Sequence, residues 1–355
     1  MSPTQEARFE RLRDFVAERG RGRWLVLTHD NPDPDALASA VVLTRVLRAL
    51  HQRATPAYGG IIGRAENREM VRTLQLKLSH VRHISWRGYQ HFALVDTQPR
   101  TGNNQLPDEV VPEIVFDHHP RRVATKAVPF QDIRPRYGAT ATLAAEYLLA
   151  SGRRVTHHEA TALVYAIRTE TRDFSREASG PDRRVHDQLL PKVRQSDLAR
   201  IQYPRLPLSY FATLHQALER LEGADNLILS HLGEVAQPDI VPEIADLLLR
   251  LQGKTWSLCT GIYRDRIYLS VRTSNTRADA GRLMRRVVGH KGRGGGHGMT
   301  AGGWIESASE PAAQQRRLGE RLARALRKDP QRLAPIHLTP HGWTRGADGD
   351  AEPSR

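Results

Sequence analysis

The sequence predicts an α/β protein with a doubly wound, mainly parallel sheet, a smaller α/β C-terminal domain, and an active-site cleft between the two. In the first half, short apolar runs alternate with helical periodicity, and several runs end directly on an acidic residue. Near residue 226 this pattern changes, which indicates a second unit. The length of 355 residues also exceeds the size that one hydrophobic core usually supports.

The first domain is predicted to open with a helix before Gly20, because Phe9, Leu12 and Val16 have helical spacing. The run Trp24–Leu27 then predicts a buried strand, and 35–50 predicts a helix. Further strands are expected at 92–95 and 114–116, with helices near 65–78, 138–151 and 157–170. Ligands bind at the carboxyl ends of such strands, so the residues that follow them are the candidate site.

The second half begins with basic helical sequence, which predicts a connector over 181–225 between a catalytic domain at 1–180 and a second domain at 226–332. The second domain is expected to contain a strand at 227–229, a helix near 239–252, a hairpin around Arg264–Asp265, a helix at 278–288 and a glycine-rich loop. Residues 333–355 show little apolar periodicity and are predicted to be a disordered tail.

Composition restricts the partners and the compartment. The net charge of +14 and the pI of 10.4 favour polyanions such as nucleic acid, nucleotides or polyphosphate, although an arginine-rich proteome would raise the pI without a specific partner. A single cysteine, Cys259, and an N-terminus of mixed charge predict a cytoplasmic protein without an internal disulfide. No uncharged run approaches the roughly 20 residues of a membrane span.

The segment from His29 to Asp35, HDNPDPD, follows the first predicted strand and precedes a helix. It brings an imidazole and several carboxylates together on one turn, where a divalent cation would relieve their repulsion. The alternative is a helix N-cap formed by Asp33 or Asp35, which leaves His29 without a role.

Two more strands end on candidate residues. Asp96 follows one of them, and Asp117-His118-His119 follows the next. An aspartate beside a ligating histidine fits a residue that orients the imidazole. The other histidine pair, His157-His158, has no acid at a strand end beside it and is predicted to be a solvated first helical turn.

Two later motifs complete the set of candidates. Glu170 and Asp173 stand at the end of a predicted helix, where a carboxylate could complete a second metal site or could simply be a solvated charge paired to an arginine. The run 294–303 is rich in glycine around His297, which suits backbone binding of an anion, with a flexible hinge as the alternative. Arg272 is placed by sequence to add a forked phosphate donor.

Taken together, the motifs HDNPDPD, VDT, DHH, TETRDF and GGGH followed by AGG resemble the DHH phosphoesterase superfamily, in its branch with a DHH-associated C-terminal domain. That branch includes nanoRNA-degrading enzymes, enzymes that hydrolyse adenosine bisphosphate, and RecJ exonucleases. The resemblance extends from about Arg23 to Ile305, and five motifs in the right order make a chance match improbable.

The resemblance implies two Mn²⁺ ions, with Mg²⁺ or another divalent cation as the alternative. The first ion would be held by His29, Asp33 and Asp96, and the second by Asp35, Asp96, His118 and Glu170, so that Asp96 bridges. Asp117 would orient His118, and His119 would face the scissile phosphate. The family usually has aspartate in place of Glu170, which keeps Asp173 as a substitute ligand. The substrate would be bound by Arg272, Gly295, Gly296 and His297.

The implied function is hydrolysis of phosphodiester or terminal phosphate bonds in short oligonucleotides, linear dinucleotides or adenosine bisphosphate. The alternatives are a RecJ-like single-strand exonuclease, a pyrophosphatase or polyphosphatase, and a nucleotide-binding protein weakened in catalysis by the change to Glu170. The sequence leaves open which nucleotide is the substrate and whether the protein is a homodimer.

Overall fold

The computed structural model describes residues 3–175, 177–339 and 342–345 and divides the chain into two compact units, Met1–Pro204 and Arg205–Arg355. The boundary lies within the predicted connector and not at either end of it. Residues 181–204 belong to the first unit because Leu189, Leu198 and Ile201 are buried in its core.

The first unit alternates strands and helices. Its strands are β1 (Arg23–Leu27), β2 (Arg53–Tyr58), β3 (Ser79–His80), β4 (His91–Val95), β5 (Ile114–Asp117) and β6 (Phe130–Ile133). Its helices are α1 (Pro3–Glu18), α2 (Pro34–Ala49), α3 (Ala65–Thr73), α4 (Thr140–Ala150), α5 (His157–Glu170), α6 (Gly180–Leu189) and α7 (Gln195–Gln202). The predicted strands and helices are present, whereas β2, β3 and β6 were not predicted. Pro56 in β2 and Gln131 and Asp132 in β6 interrupt the apolar pattern that marks a buried strand.

All six strands are parallel, in the order β3-β2-β1-β4-β5-β6. The parallel α/β prediction is therefore confirmed. The chain leaves β1 toward β2 on one side and later returns to place β4 on the other side, so the strand order reverses between β1 and β4. In register, Leu27 pairs with Leu94, and Val95 pairs with Phe116. The residues that follow β1, β4 and β5 therefore meet at the carboxyl edge, where such sheets bind ligands.

Side chains of the sheet alternate between two apolar layers. Trp24 and Val26 of β1 pack in the larger layer with the helices α1, α2, α4 and α5. Leu25 and Leu27 face the opposite layer, which is built from strand and loop residues such as Leu106 and Val128. Burial on both faces explains why β1, β4 and β5 read as continuous apolar runs in the sequence.

The second unit contains one mixed sheet. Its helices are α8 (Leu208–Glu219), α9 (Ile240–Leu248), α10 (Ala280–Val288) and α11 (Pro311–Ala325). Its strands are β7 (Leu221–Ala224), β8 (Leu227–Glu234), β9 (Trp256–Tyr263), β10 (Arg266–Thr273), β11 (Gly292–His297), β12 (Thr300–Glu306), β13 (Ala334–Thr339) and β14 (Gly342–Arg345). The order is β11-β12-β10-β9-β8-β7-β13-β14. The predicted hairpin of β9 and β10 is present.

Two expectations for this unit are corrected. The glycine-rich segment is a hairpin of β11 and β12 and not a loop, because its backbone pairs in register from Gly292 with Ile305 to His297 with Thr300. The predicted tail begins with an ordered strand, since Ala334 of β13 pairs with Gly223 of β7 and Ile336 is buried. The other tail residues, 340–341 and 346–355, lie outside the described residues.

Within the described ranges, no helix has the length and apolar character that a bilayer span requires. The cytoplasmic location stays a prediction.

Candidate metal centre

Ligand atoms from three strand ends meet at the carboxyl edge of the parallel sheet. One group consists of His29, Asp33 and Asp96, and another of Asp96, His118 and His119, with the ligand atoms of each group within 4.8 Å of one another. Asp96 is common to both. The structure thus brings together the motifs that follow β1, β4 and β5. Asp96, the residue predicted to bridge two ions, belongs to both groups.

His29 and His118 are held in the same way. The Nδ1 of His29 lies 2.9 Å from the carbonyl oxygen of Asp30, and the Nδ1 of His118 lies 3.2 Å from that of Tyr137. Because a carbonyl oxygen only accepts, each Nδ1 carries the proton and donates it. Each Nε2 is thereby directed to the carboxylates: that of His29 is 3.5 Å from Asp96, and that of His118 is 3.7 Å from Asp96. Metal-ligating histidines are commonly fixed by such a hydrogen bond.

Asp35 is buried in the first turn of α2, and its carboxylate accepts from the start of α4. Thr140 N donates to Oδ2 over 2.8 Å, and Ala141 N donates to Oδ1 over 2.6 Å. Oδ2 is also 3.9 Å from the Nε2 of His118. A carboxylate has about four acceptor positions, so these two bonds leave lone pairs for a cation.

Asp96 stands directly after β4 with a left-handed backbone, φ 57°. Few residues other than glycine adopt this conformation without cost, although aspartate and asparagine do so more readily than most. Its amide donates to the carbonyl of Phe116 over 2.9 Å, and its Oδ1 accepts from the Thr140 hydroxyl over 2.9 Å. The sharp turn therefore sends the carboxylate back over the strand ends, into the donor cluster.

Asp117 orients His119, which corrects the expectation that it orients His118. Its Oδ1 accepts from the backbone amide of His119 over 3.0 Å and lies 2.8 Å from the Nδ1 of the same residue. The backbone bends at His118 and His119 after the end of β5, and the carboxylate of Asp117 reaches the amide and the ring of His119, whereas His118 points toward Tyr137. Gln98 holds the other oxygen of Asp117 over 2.6 Å.

Asp33 is an observed N-cap and also lies in a group that could hold a metal ion. It is the N-cap of α2 and accepts from Ala36 N over 3.0 Å. The same oxygen lies 3.8 Å from the Nε2 of His29. Capping fixes the carboxylate beside the imidazole, so the N-cap and metal interpretations are compatible.

The charges at this edge fit a cation. Burial raises the pKa of Asp35, and the charges of Asp96, Asp33 and Glu170 raise it further. Burial lowers the pKa of His29, but the contacts with Asp33 and Asp96 raise it well above the usual histidine value. Protons therefore offset the carboxylate charge, and divalent cations bound by the same atoms would replace them. The oxygen and nitrogen donors, without a thiolate, suit Mn²⁺ or Mg²⁺.

Glu170, the last residue of α5, belongs electrostatically to this edge, whereas Asp173 does not. The charge of Glu170 raises the pKa of both Asp35 and His119. Asp173 has a side chain that is 68% exposed and an Oδ1 that accepts from Arg168 Nε over 2.6 Å. Asp173 is therefore a solvated charge paired with an arginine. Glu170 remains the candidate ligand.

Sequence reasoning missed two supporting residues. Thr140 touches three parts of the site through its amide and hydroxyl, and Gln98 is buried beneath Asp117 and accepts from the hydroxyl of Thr125 over 2.6 Å. The only sequence signal for Thr140 is its place at the start of a predicted helix. Gln98 carries a weaker signal, its position two residues after Asp96 in a polar loop.

In the second unit, Arg272 is buried and forms hydrogen bonds with other residues of the protein. Its Nε donates to Asp246 Oδ1 over 2.8 Å, and its Nη1 donates to the carbonyl of Ala301 over 3.2 Å. These contacts join β10 to α9 and to β12. The substrate-binding role predicted for Arg272 stays a prediction.

The glycines of the hairpin differ in whether the surrounding structure requires the absence of a side chain. Gly296 has φ 139°, and a Cβ on it would lie 2.4 Å from the carbonyl oxygen of Thr300. A Cβ on Gly295 would meet nothing within 4 Å. Close packing alone therefore explains Gly296 but not Gly295. The side chain of His297 lies outside the described residues.

The fold is that of an α/β protein whose parallel sheet carries, at its switch point, a cluster of histidine and aspartate side chains that could hold a metal ion. The chain belongs to the DHH family. The DHH family N-terminal domain matches residues 23–167, and the DHHA1 domain matches residues 224–327.

Three similar proteins support this assignment. An uncharacterised protein of Methanocaldococcus jannaschii is 34% identical over 286 residues, which cover 80% of the present chain and 58% of that protein. An exopolyphosphatase-related protein from Bacteroides fragilis has a TM-score of 0.69 at 15% identity, covering 90% of this chain and 98% of its own. RecJ from Thermus thermophilus, in complex with Mn²⁺, has a TM-score of 0.53 at 16% identity, covering 92% and 55%. The two structures share their fold with this chain.

Proposed function

We propose that this protein is a metal-dependent phosphoesterase that hydrolyses phosphodiester or terminal phosphate bonds of short oligonucleotides, linear dinucleotides or adenosine bisphosphate, with two Mn²⁺ ions as cofactors. The observation that supports the proposal most directly is the sharing of Asp96 between two donor groups at the switch point. The complex of Thermus thermophilus RecJ with Mn²⁺ supports the choice of metal.

In this proposal, His29, Asp33 and Asp96 would hold the first ion, and Asp35, Asp96, His118 and Glu170 would hold the second. When bound, such a pair of cations lowers the pKa of a shared water and neutralises phosphoryl charge. The chain itself keeps the donors in place: the carbonyls of Asp30 and Tyr137 fix the two imidazoles, and the start of α4 fixes Asp35.

His119 is suited to contact the phosphate. Burial lowers its pKa, but the hydrogen bond with Asp117 and the charges of Asp96 and Asp117 raise the pKa to about 9, so the ring is cationic at neutral pH. Its Nδ1 lies 2.8 Å from Asp117 Oδ1, which fixes the ring, and we propose that the cationic ring contacts an oxygen of the substrate. A charge-assisted hydrogen bond to a phosphoryl or leaving-group oxygen would stabilise charge that develops during hydrolysis.

The substrate class is proposed from the second domain. The DHHA1 domain contains Arg272 and the glycine hairpin, which we propose bind a terminal phosphate or nucleotide. A second anion-binding element favours short substrates that carry an end group, and the net charge of +14 favours anions in general.

The test is hydrolysis by the full-length, chelator-treated protein with Mn²⁺ restored. The substrates are labelled di- to decanucleotides, adenosine bisphosphate, pyrophosphate and long polyphosphate. We expect Mn²⁺-dependent hydrolysis that is fastest for the shortest nucleotides or the bisphosphate and absent in excess EDTA. Full turnover in EDTA would contradict the metal mechanism.

The polyphosphate arm addresses a second candidate, which the similarity to an exopolyphosphatase-related protein favours. Hydrolysis of polyphosphate or pyrophosphate without hydrolysis of nucleotides would replace the proposed substrate class. Hydrolysis of long single strands as fast as dinucleotides would favour a RecJ-like exonuclease. Tight nucleotide binding without turnover of any substrate would indicate a binding protein.

A further inference from the structure

A second group of metal-ligand side chains lies where α5 and α7 begin. His157 and His158 of α5 and Asp197 of α7 place three ligand atoms within 4.8 Å of one another. The group is separated from Glu170 by the length of α5, about 20 Å at 1.5 Å per residue. It is therefore distinct from the strand-end site.

Two atoms of this group are buried without a hydrogen bond. They are the Nε2 of His157 and the Oδ2 of Asp197, and Asp197 as a whole is only 8% exposed. The cation near this oxygen is Arg194, whose Nη1 lies 3.6 Å away on a side chain that is 55% exposed. A buried carboxylate oxygen without a hydrogen bond is costly, and an exposed ion pair at that distance offsets little of the cost.

The histidines are not needed to cap α5. Thr156 and Glu159 form a capping box that satisfies the start of the helix with their own side chains. Both imidazoles are half-buried and pack edge to face with ring centroids 4.2 Å apart, which corrects the expectation of a solvated first turn. The folding of α5 therefore gives no reason for two imidazoles to face a buried carboxylate.

We propose that His157, His158 and Asp197 form a binding site for a Zn²⁺-type transition-metal ion. Two imidazoles and one carboxylate are ligands that zinc takes at about 2.0–2.2 Å, with water in the fourth position. Tetrahedral ligands at that distance lie about 3.4 Å apart, so small rotations of the three side chains close the site. His158 also lines a cavity of about 200 Å³.

The charged neighbours determine which ions bind. Arg194 faces Asp197, and Arg45, Arg48 and Lys77 line the cavity beside His158. Arg45 lies 3.4 Å from Glu159, and Arg48 donates to the carbonyl of Ala54. These positive side chains repel any metal ion. Mg²⁺ and Ca²⁺, which bind imidazole weakly, would not overcome the repulsion, whereas an ion that forms strong bonds to imidazole would. Such an ion would join α7 to α5.

The test is Zn²⁺ binding by the full-length Asp96→Asn chain, in which the residue shared by the two strand-end donor groups is neutralised. After chelator treatment, equilibrium dialysis against Zn²⁺ and thermal unfolding are measured with and without a further substitution. We expect His158→Gln to remove one equivalent of bound Zn²⁺, or to weaken it at least about tenfold, and to reduce the rise in melting temperature that Zn²⁺ produces. His83→Gln, an exposed histidine, is the matched control and should change neither.

Asp197→Asn provides an independent variant on the other helix. It nearly conserves the shape of the side chain and should cause the same loss if the carboxylate is a ligand. The proposal is wrong if His158→Gln and Asp197→Asn both leave Zn²⁺ stoichiometry and affinity within twofold of the parent chain, or if the parent itself binds no Zn²⁺. None of these measurements depends on hydrolysis, so the result is separate from the proposed phosphoesterase activity.

Discussion

At the carboxyl edge of the parallel sheet, hydrogen bonds from both side chains and the backbone hold the candidate ligands, whereas the β11–β12 hairpin of the second unit is held by backbone pairing and by close backbone packing against α10. Thr140, Gln98 and two carbonyls fix the ligands at the first edge. In the hairpin, a Cβ on Gly281 of α10 would lie 1.9 Å from the carbonyl of Gly296, so helix and strand meet without side chains.

The difference shows which kind of motif can be interpreted from sequence. A carboxylate that follows an apolar strand has few structural reasons to be there, so a functional interpretation is favoured. A run of glycines can have many structural reasons. The structure shows one of them, the close packing of α10 on the hairpin. Packing therefore accounts for part of the glycine run, whereas it does not account for carboxylates at the ends of buried strands.

The largest expected effect separates Glu170 from Asp173 within the sheet edge. Glu170→Ala should lower kcat/KM on a dinucleotide about a hundredfold or more, because it removes a proposed ligand of the second ion. Glu170→Asp should retain substantial activity. Asp173→Ala is the control and should be mild, since its carboxylate is exposed and paired with Arg168.

Steady-state kinetics at saturating Mn²⁺ measure this series. A ranking in which Asp173→Ala is the damaging change would transfer the ligand role to that residue.

The hairpin side of the comparison is tested at Arg272. Arg272→Ala should lower kcat/KM on a dinucleotide roughly ten- to a hundredfold, equivalent to the loss of one charge-assisted phosphate contact of about 1.5–3 kcal/mol. Asp246→Asn breaks the same ion pair but keeps the guanidinium, so it should have a smaller effect. Hydrolysis of bis-p-nitrophenyl phosphate, which has no second phosphate, should change little in either variant.

Equal losses in Arg272→Ala and Asp246→Asn would show that Arg272 acts only by joining β10 to α9. Gly295→Ala sharpens the same question, since its Cβ would meet open space and a loss of dinucleotide turnover there would not come from packing.

The support beneath the ligands is tested at Thr140. Thr140→Val removes the hydroxyl that donates to Asp96 and accepts from His118 N, and should weaken Mn²⁺ binding about ten- to a hundredfold. Thr140→Ser retains the hydroxyl and should stay close to the wild type. Calorimetric titration with Mn²⁺ measures the difference, and equal affinities for the Val and Ser variants would remove Thr140 from the site.

The smallest expected effect is the gradual change of Mn²⁺ affinity with pH. The pKa values of His29 and Asp35 are both raised in the folded protein, so both groups tend to hold protons that a cation must displace. Mn²⁺ affinity should therefore fall as the pH is lowered from 8 to 6, by about tenfold per pH unit for each proton displaced. Calorimetry in buffers of different ionisation enthalpy should show proton release, and pH-independent binding would contradict the exchange of protons for metal.

Much of the first unit could be predicted because its buried strands and amphipathic helices have distinct periods. The outer strands β2 and β6 could not be predicted, since they carry proline or polar residues that interrupt the apolar pattern of a buried strand. The candidate ligands at this edge, such as Asp35, Asp96 and His118, could be named from the motifs that follow the predicted strands, and the structure brings them together. Their supports could not, because Thr140 and Gln98 are brought to the site only by the tertiary fold.

The link between Asp117 and His119 was missed for a local reason. The sequence shows that the three residues are adjacent but not where their side chains point, and the bend that follows β5 places Asp117 beside the second histidine of the motif and not the first. Likewise, the pair His157-His158 was predicted to be solvated because Asp197 lies about forty residues later in the sequence. Only the tertiary fold brings it beside the two histidines.

The central claim is that Asp96 joins two donor groups into one two-metal site, and the direct measurement is the number of Mn²⁺ ions bound per chain by the wild type and by Asp96→Asn. Chelator-treated protein is titrated with Mn²⁺, and free Mn²⁺ is followed by electron paramagnetic resonance while dinucleotide hydrolysis is assayed on the same samples. The account predicts that the wild type binds two more Mn²⁺ ions with usable affinity than Asp96→Asn does, and that hydrolysis is lost in the variant. Equal stoichiometry in the two proteins, or full hydrolysis by Asp96→Asn, would contradict it.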